Sequence, residues 1–392
     1  MLSLEAALDR LLARAHPTSA ETVALADAHG RVLVDPDVLA RHDVPPFANS
    51  AMDGWAVRSG DLPGRLPIGG EAAAGGAPPA LVAGAAVRIM TGAPLPAGAD
   101  TVVPIEDAKE EGGGVTLPAA TPGTHVRPAG GDTRAGTTVR LDGPLGPAEL
   151  AVLASLGAGS VAVRRSPVVA IVSTGDELVA PGEPLGPGQI YDANSAALAA
   201  AVREAGGRPL VPERIADRAD AVGAALDAAT AEADLVVTSG GVSVGRHDHV
   251  RAVLEVGGGV DFWRVAVQPG KPLLVAEHRG TTVIGLPGNP VSALVTFELF
   301  VRPYVRALLG LAGDGRAHPR VTMADAASKD PQRRAFLRVR VGPDLVARSA
   351  GGQGSAQLRP LADANALLVV PEGEAATVAG AAYEAILIGA VG

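Results

Sequence analysis

Cysteine is absent from the sequence, and that one absence removes several kinds of chemistry together. Disulfides, thiolate zinc sites, iron–sulfur ligation and a cysteine nucleophile are all excluded. Aromatic residues are scarce at 3%, so the cores must be built from the Ala, Val and Leu that bring the apolar fraction to 47%. A basic excess is also missing. Lys and Arg total 33 against 42 Asp and Glu, a formal charge of −9, and no basic stripe of the kind a nucleic-acid binder needs is visible. Long uncharged runs are lacking because Gly and Pro interrupt them, which argues against a membrane span. The opening stretch MLSLEAALDRLLARAH carries Glu5, Asp9 and Arg10 among its leucines. With Leu4, Leu8, Leu11 and Leu12 on one face it reads as an amphipathic helix and not as a signal peptide. A cytoplasmic location is the expectation.

What is there is rhythm. The 392 residues suffice for two to four domains, and the texture changes several times. Residues 1–40 read as helical and form, with 141–165, an elongated N-terminal helical and linker domain. Residues 41–140, crowded with Gly, Pro and short β-branched runs, read as an inserted β-rich module. From 166 to 315, PVVAIVS, RPLVPE, DLVVTS, VDFWRVAV, PLLVAE and TTVIGL alternate with helical segments, which predicts a doubly wound, mainly parallel α/β sheet. Residues 316–392 return to β-branched runs and predict a small β-barrel or sandwich. The fold class expected is thus a multidomain α/β protein.

In open α/β sheets ligands bind beyond the carboxyl ends of the strands, and three glycine-bearing turns fall at such ends. STGDEL holds Thr174, Gly175, Asp176 and Glu177; SGGVSVGRHD holds Ser239, Gly240, Gly241, Ser243, Gly245 and Asp248; GLPGNPVS holds Pro287, Gly288, Asn289 and Pro290. Small residues let backbone N–H groups approach a ligand, and a helix N-terminus is an anion site. Asn289 is placed to cap the following helix with Pro290 at its first position. Three such turns on one sheet predict a phosphorylated ligand. His247 and His249 have no third His or Cys nearby, so they do not make a transition-metal site. Asp248, at the mouth of a phosphate cradle, suits magnesium. Asp53, Asp132, Asp176, Glu177 and Asp217 stand beside glycines or at strand ends, and Asp217 reads as an N-cap. Arg264 and Lys271 are the nearby cations, and the lysine can reach a phosphate as a point charge.

NSAMDGWAV, RIMTGAPLPAGADTVVPIED, STGDEL, TSGGVSVGRHD, QPGKP and GLPGNPVSA occur here in the order found in molybdopterin molybdenumtransferases, the MoeA family, which is similar to the gephyrin E domain. The resemblance covers essentially the whole chain. It implies an enzyme that takes adenylylated molybdopterin, inserts molybdenum from molybdate and releases AMP with magnesium. It also implies a homodimer whose active site lies between the α/β domain of one subunit and the N-terminal β region of the other. Transient contact with the molybdopterin adenylyltransferase and with apo-molybdoenzymes follows from that place in the pathway. On this resemblance the SGGVSVG and LPGNP loops hold phosphates, with Thr174, Gly175 and Asp176 beside them. Lys271 and Arg264 offset charge, and Glu177 and Asp248 are candidates for the magnesium shell or for positioning the attacking water. Asp217 faces the cleft, and Asp53 and Thr91 approach it from the partner. The chain departs from the pattern at Trp55, where tyrosine is frequent, and at Arg264 and Gln268, where many relatives have lysine. An adenylyltransferase, which shares the TSGG type of loop, a tungstate-specific insertase and a scaffolding role are the competing readings.

Overall fold

The computed structural model describes residues 1–211, 215–242, 249–257 and 259–391. The chain divides into two compact units, Met1–Glu21 with Arg164–Gly392, and Thr22–Val163.

In the larger unit a six-stranded sheet runs in the order Arg208–Leu210, Val168–Ser173, Leu235–Ser239, Thr281–Leu286, Leu274–His278 and Val260–Trp263. The first four strands are parallel and the last two antiparallel. Val168–Ser173 is buried along its whole length, as a strand covered on both faces must be. Its side chains alternate. Val169 and Ile171 join a core with helix Ala193–Glu204 and the long C-terminal helix, while Ala170 and Val172 join a second core with helices Ala219–Glu232 and His249–Val256. The sheet is therefore covered on both faces, as the alternating strands and helices predict.

Three elements depart from the sequence expectation. Within residues 1–40 only Leu4–Leu12 is α-helical, capped by the Ser3 hydroxyl, which accepts the Ala6 N–H at 3.2 Å. Pro17 and the β-branched Thr22 and Val23 then break the pattern, and Ala20–Ala24 is extended. The helix buries Ala7 and Leu11 in the α/β core, so its apolar face is satisfied there. VDFWRVAV is two strands, not one. Arg264 takes φ 76°, and beyond it Val267–Gln268 leaves the α/β sheet to pair with Arg334–Val341. The long helix widens into a π-turn at Phe297–Val301, where Pro303, lacking an N–H, leaves the Leu299 carbonyl without its usual helical donor.

Five strands close the C-terminal ring: Arg334–Val341, Val346–Ser349, Arg320–Met323, Ala382–Leu387 and Ala366–Val370, the last pairing back onto the first. The choice between barrel and sandwich falls to the barrel, which leaves no open edge. Leu337, Val339 and Val341 point inside, while Phe336, Leu367 and Ile386 point outward into the α/β core. The smaller unit carries its own six-stranded sheet, Thr101–Pro104, Gly54–Val57, Ala86–Ile89, Gly64–Ala72, Gly114–Leu117 and Lys109–Glu111. Trp55 is fully buried in it, so the departure from tyrosine is a core substitution.

His318 ties the segment after the long helix to the barrel: its Nε2 lies 2.8 Å from Asp314 Oδ2 and its Nδ1 2.7 Å from Glu384 Oε1. A ring with a carboxylate at each nitrogen must donate from both, so it is the imidazolium. Partial burial works against that charge, but the bonds to Glu384 and Asp314 prevail and raise the pKa above its usual 6.5. A raised folded pKa means stabilisation that is complete below the unfolded value and is lost as pH rises through the folded one. His318→Gln should therefore lower the denaturation midpoint at about pH 5.5 and converge on the wild type by about pH 9. A midpoint difference that is the same at both pH values would rule out the charged clamp.

Candidate active site

The strand order places a crevice before any side chain is considered. After Ser173 the chain crosses one face of the sheet to the edge strand Arg208–Leu210. It then crosses the other face to Leu235–Ser239, on the opposite side of the first strand. The loops leaving Ser173 and Ser239 diverge there, which is where open sheets bind ligands.

A cavity of about 750 Å³ occupies this position. Its wall brings together Thr174, Gly175 and Glu177 from the first loop, Ser239, Gly240 and Gly241 from the second, and Pro287, Gly288, Asn289 and Pro290 from the third. Asp217 lines it too. The three turns singled out in the sequence thus converge on one cavity within the larger unit. Ser243, Gly245 and Asp248 lie outside the described residues.

Several expected residues stand elsewhere. Asp217 does not cap its helix; Arg218 is the N-cap residue, and the Asp217 N–H donates instead to Asp176 Oδ1 at 3.3 Å. Asp176 itself is exposed and off the cavity wall, bracing Asp217. Asn289 occupies the N-cap position with Pro290 in the first turn, but its side chain makes no cap. Its Nδ2 donates instead to Ser355 Oγ at 3.0 Å. Arg264, Gln268 and Lys271 are not on the described wall. The Arg264 guanidinium lies 3.7 Å from the Trp263 ring centroid, a cation–π stack that holds it there. Gln268 Oε1 accepts the Asp330 N–H at 2.9 Å, and Lys271 is exposed beside Pro272, which does line the cavity.

In the smaller unit Asp53 and Thr91 form a pair of their own. Asp53 Oδ1 accepts both the N–H and the hydroxyl of Thr91 at 2.7 Å. The backbone bond, then the hydroxyl bond, lower the Asp53 pKa, so the exposed carboxylate is ionised. Asp132 is exposed, its N–H donating to the Val44 carbonyl at 3.0 Å and its carboxylate accepting from the Thr133 hydroxyl.

Two residues escaped sequence reasoning. Asn194, on the first turn of helix Ala193–Glu204, lines the cavity and donates from Nδ2 to Ser239 Oγ and to the Gly288 carbonyl, both at 2.8 Å. The Asp192 N-cap two residues earlier was its only signal. Arg338 sits on a barrel strand at 0% exposure. It donates to the Gly352 carbonyl at 2.7 Å, while its Nε and Nη1 have no partner among the described residues, and burial lowers its pKa. The Gln353 side chain bonds the Arg338 N–H and carbonyl, anchoring the loop that carries Ser355 and cavity-lining Ala356. RAFLRVR alternates as a strand, and its outward positions give no hint that a loop will cover one of them.

Glu177 and Asp217 are the carboxylates on the wall, which carries no described Lys or Arg. No described set of three or more His, Asp or Glu forms a closed metal site. Two carboxylates beside backbone N–H groups fit a hard cation that completes its shell with water and phosphate oxygens. The arrangement can bind a phosphoanhydride and hold a water beside it.

The chain matches three family models in succession: the MoeA N-terminal region (domain I and II) over residues 2–157, a probable molybdopterin binding domain over 170–307, and the MoeA C-terminal region (domain IV) over 320–388. The chain belongs to the MoeA family. It is 43% identical over 383 residues to molybdopterin molybdenumtransferase 2 of Mycobacterium tuberculosis, covering 92% of this chain and 93% of that one. It is 40% identical over 373 residues to the molybdopterin molybdenumtransferase of a Nostoc species, covering 90% and 85%. Two structures of the molybdopterin biosynthesis MoeA protein from Pyrococcus horikoshii match with a TM-score of 0.85, at 33% and 28% identity. They cover 100% and 99% of this chain and 100% of each of those chains.

Gly241, at φ 69°, would bring an added Cβ to 2.8 Å from Val250 Cγ2, whereas one on Gly288 meets only Gly240 Cα at 3.7 Å. Gly241→Ala should cost about 1–3 kcal/mol in chemical denaturation. Gly288→Ala should stay within about 0.5 kcal/mol while placing a methyl in the cavity. Equal effects would mean the loop backbone is not constrained as described.

Proposed function

We propose that this chain is a molybdopterin molybdenumtransferase that inserts molybdenum from molybdate into adenylylated molybdopterin and releases AMP. The observation that carries the reading is the convergence of the three strand-end loops on one cavity at the switch point of the sheet, with Glu177 and Asp217 on its wall. Relatives of that name match over nearly the whole chain and not over one domain, so the adenylyltransferase reading is not favoured.

The backbone N–H groups of Gly241 and the Gly288–Asn289 turn would bind the phosphates, since that of Gly240 is taken by the Leu286 carbonyl at 3.2 Å, and the long helix starting at Pro290 presents its positive end to them. Glu177 and Asp217, with Asp248, would hold a magnesium ion, which supplies charge neutralisation of the phosphoanhydride when bound. Asp217, whose backbone N–H is held by the Asp176 carboxylate, would accept the proton of the water that displaces AMP. Arg264, Gln268 and Lys271 would act from outside the wall, so the lysine departures at 264 and 268 tune anion affinity and not the chemistry; tungstate preference belongs to the same question. In a homodimer the ionised Asp53, held by Thr91, would complete the cleft of the other subunit. The adenylyltransferase and apo-molybdoenzymes are the partners such an activity implies. No described helix is long and apolar enough to cross a membrane, and a cytoplasmic site of action is proposed.

Purified protein given adenylylated molybdopterin, magnesium and molybdate should release AMP in a molybdate-dependent manner and leave molybdenum on the dithiolene. Asp217→Asn should slow that release by about 10²–10⁴-fold with the pterin still bound. Tight pterin binding without AMP release by the wild type would make the chain a carrier and overturn the reading.

A further inference from the structure

Asn194 is the side chain that joins two of the three loops, and its orientation is fixed by chemistry. A main-chain carbonyl can only accept, so the atom 2.8 Å from the Gly288 oxygen must be the amide nitrogen. The same nitrogen donates to Ser239 Oγ. Both donors of the carboxamide are thus used within the protein. Its other end, Oδ1, accepts nothing among the described residues, and the residue lies half-buried on the cavity wall. The turn it stands on cannot swivel freely. Asp192 accepts the Ser195 N–H at 2.9 Å and the Ser195 hydroxyl at 2.5 Å, and Ser195 Oγ meets Ser173 Oγ at 2.8 Å.

An open amide oxygen is an unusual neighbour for loops that bind phosphate. It repels phosphate oxygens and attracts N–H groups. The Gly288 carbonyl adds a second lone pair of the same sense, since it accepts from Asn194 alone in the described bonds. This stretch of wall therefore selects a ligand edge with adjacent donors. Of the groups on adenylylated molybdopterin, the phosphates carry acceptors. Adenine offers one amino group flanked by ring acceptors, whereas the pterin amide and 2-amino groups stand side by side as donors. We propose that Asn194 is a positioning and specificity residue, pinning the loops after Ser239 and Gly288 through Nδ2 and reading the N–H edge of the pterin through Oδ1. The inference rests on the pterin-cleft reading above.

The test uses the full chain with three probes, molybdopterin, a molybdopterin analogue with oxygen in place of the 2-amino group, and AMP, each titrated separately. The wild type should prefer molybdopterin to the oxo analogue by about tenfold. Asn194→Ala should weaken molybdopterin by about that factor and erase the preference, with AMP affinity changed less than about twofold. Asn194→Ser, which keeps a small polar group at the loop junction, provides the same comparison if the alanine variant does not fold. Equal weakening of molybdopterin and AMP would reduce Asn194 to a loop brace, and weakening of AMP alone would assign the oxygen to adenine. Either overturns the proposal. Unchanged affinities for all three in a folded variant sink it as well. A wild type that binds no molybdopterin fails the underlying function, which is a separate result read before any variant is made.

Discussion

The central sheet reverses its strand order between Val168–Ser173 and Leu235–Ser239, and the site depends on that reversal. Two neighbouring parallel strands whose following helices lie on opposite faces cannot have their loops packed against each other. The chain leaves Ser173 toward Ala193–Glu204 on one face, and helices Ala219–Glu232 and His249–Val256 cover the other. The gap between the loops is therefore a consequence of connectivity, and the glycines in it keep the backbone near whatever enters. Asn194, on the helix that follows Ser173, bonds Ser239 and Gly288 and so ties that helix to the second and third loops across the gap.

A chain with a formal charge of −9 faces an electrostatic problem if its ligand is a polyanion. The described wall meets it without surface cations. Backbone N–H groups and a helix N-terminus supply diffuse positive potential beside the Glu177 and Asp217 carboxylates of the wall. The cations expected from sequence are spent elsewhere. Arg264 is stacked on Trp263, whose other near neighbour is Arg251 at 3.8 Å. Arg338 is the reverse case, a full charge held at 0% exposure with donors to spare. Burying an arginine this way is costly unless something pairs with it, and the described partner is the Gly352 carbonyl.

The barrel contributes to the site through packing and through one loop. Phe336, Leu367 and Ile386 turn outward into the α/β core, so barrel and sheet share an apolar interior. The loop after Ser349 reaches the PGNP turn, where Ser355 takes the Asn289 carboxamide and the Ser355 carbonyl accepts the Val291 N–H at 3.1 Å. Val267–Gln268 ties the same two parts from the other side by pairing with the first barrel strand.

Much of this was legible in the residues. The β-branched runs and the glycine turns that end them are local signals, and they correctly foretold an α/β centre and three loops at its carboxyl edge. Asp217 shows where local reasoning stops: its type and spacing read as a cap, yet the next residue takes the N-cap place and Asp217 lines the cavity. VDFWRVAV shows the same limit for a strand, since only the pairing partner reveals that its second half serves another sheet. Arg338 could not be found at all, and Asn194 only through the Asp192 cap beside it, because nothing near either in sequence marks it as buried or as a bridge. Sequence by itself determined the element types, the absence of thiol chemistry and the small-residue turns, since these depend on neighbours a few positions apart. Only the tertiary structure decided which loops meet, which charges are covered and which side chains face the cavity. Those outcomes are set by strand order and register over separations of tens to hundreds of residues.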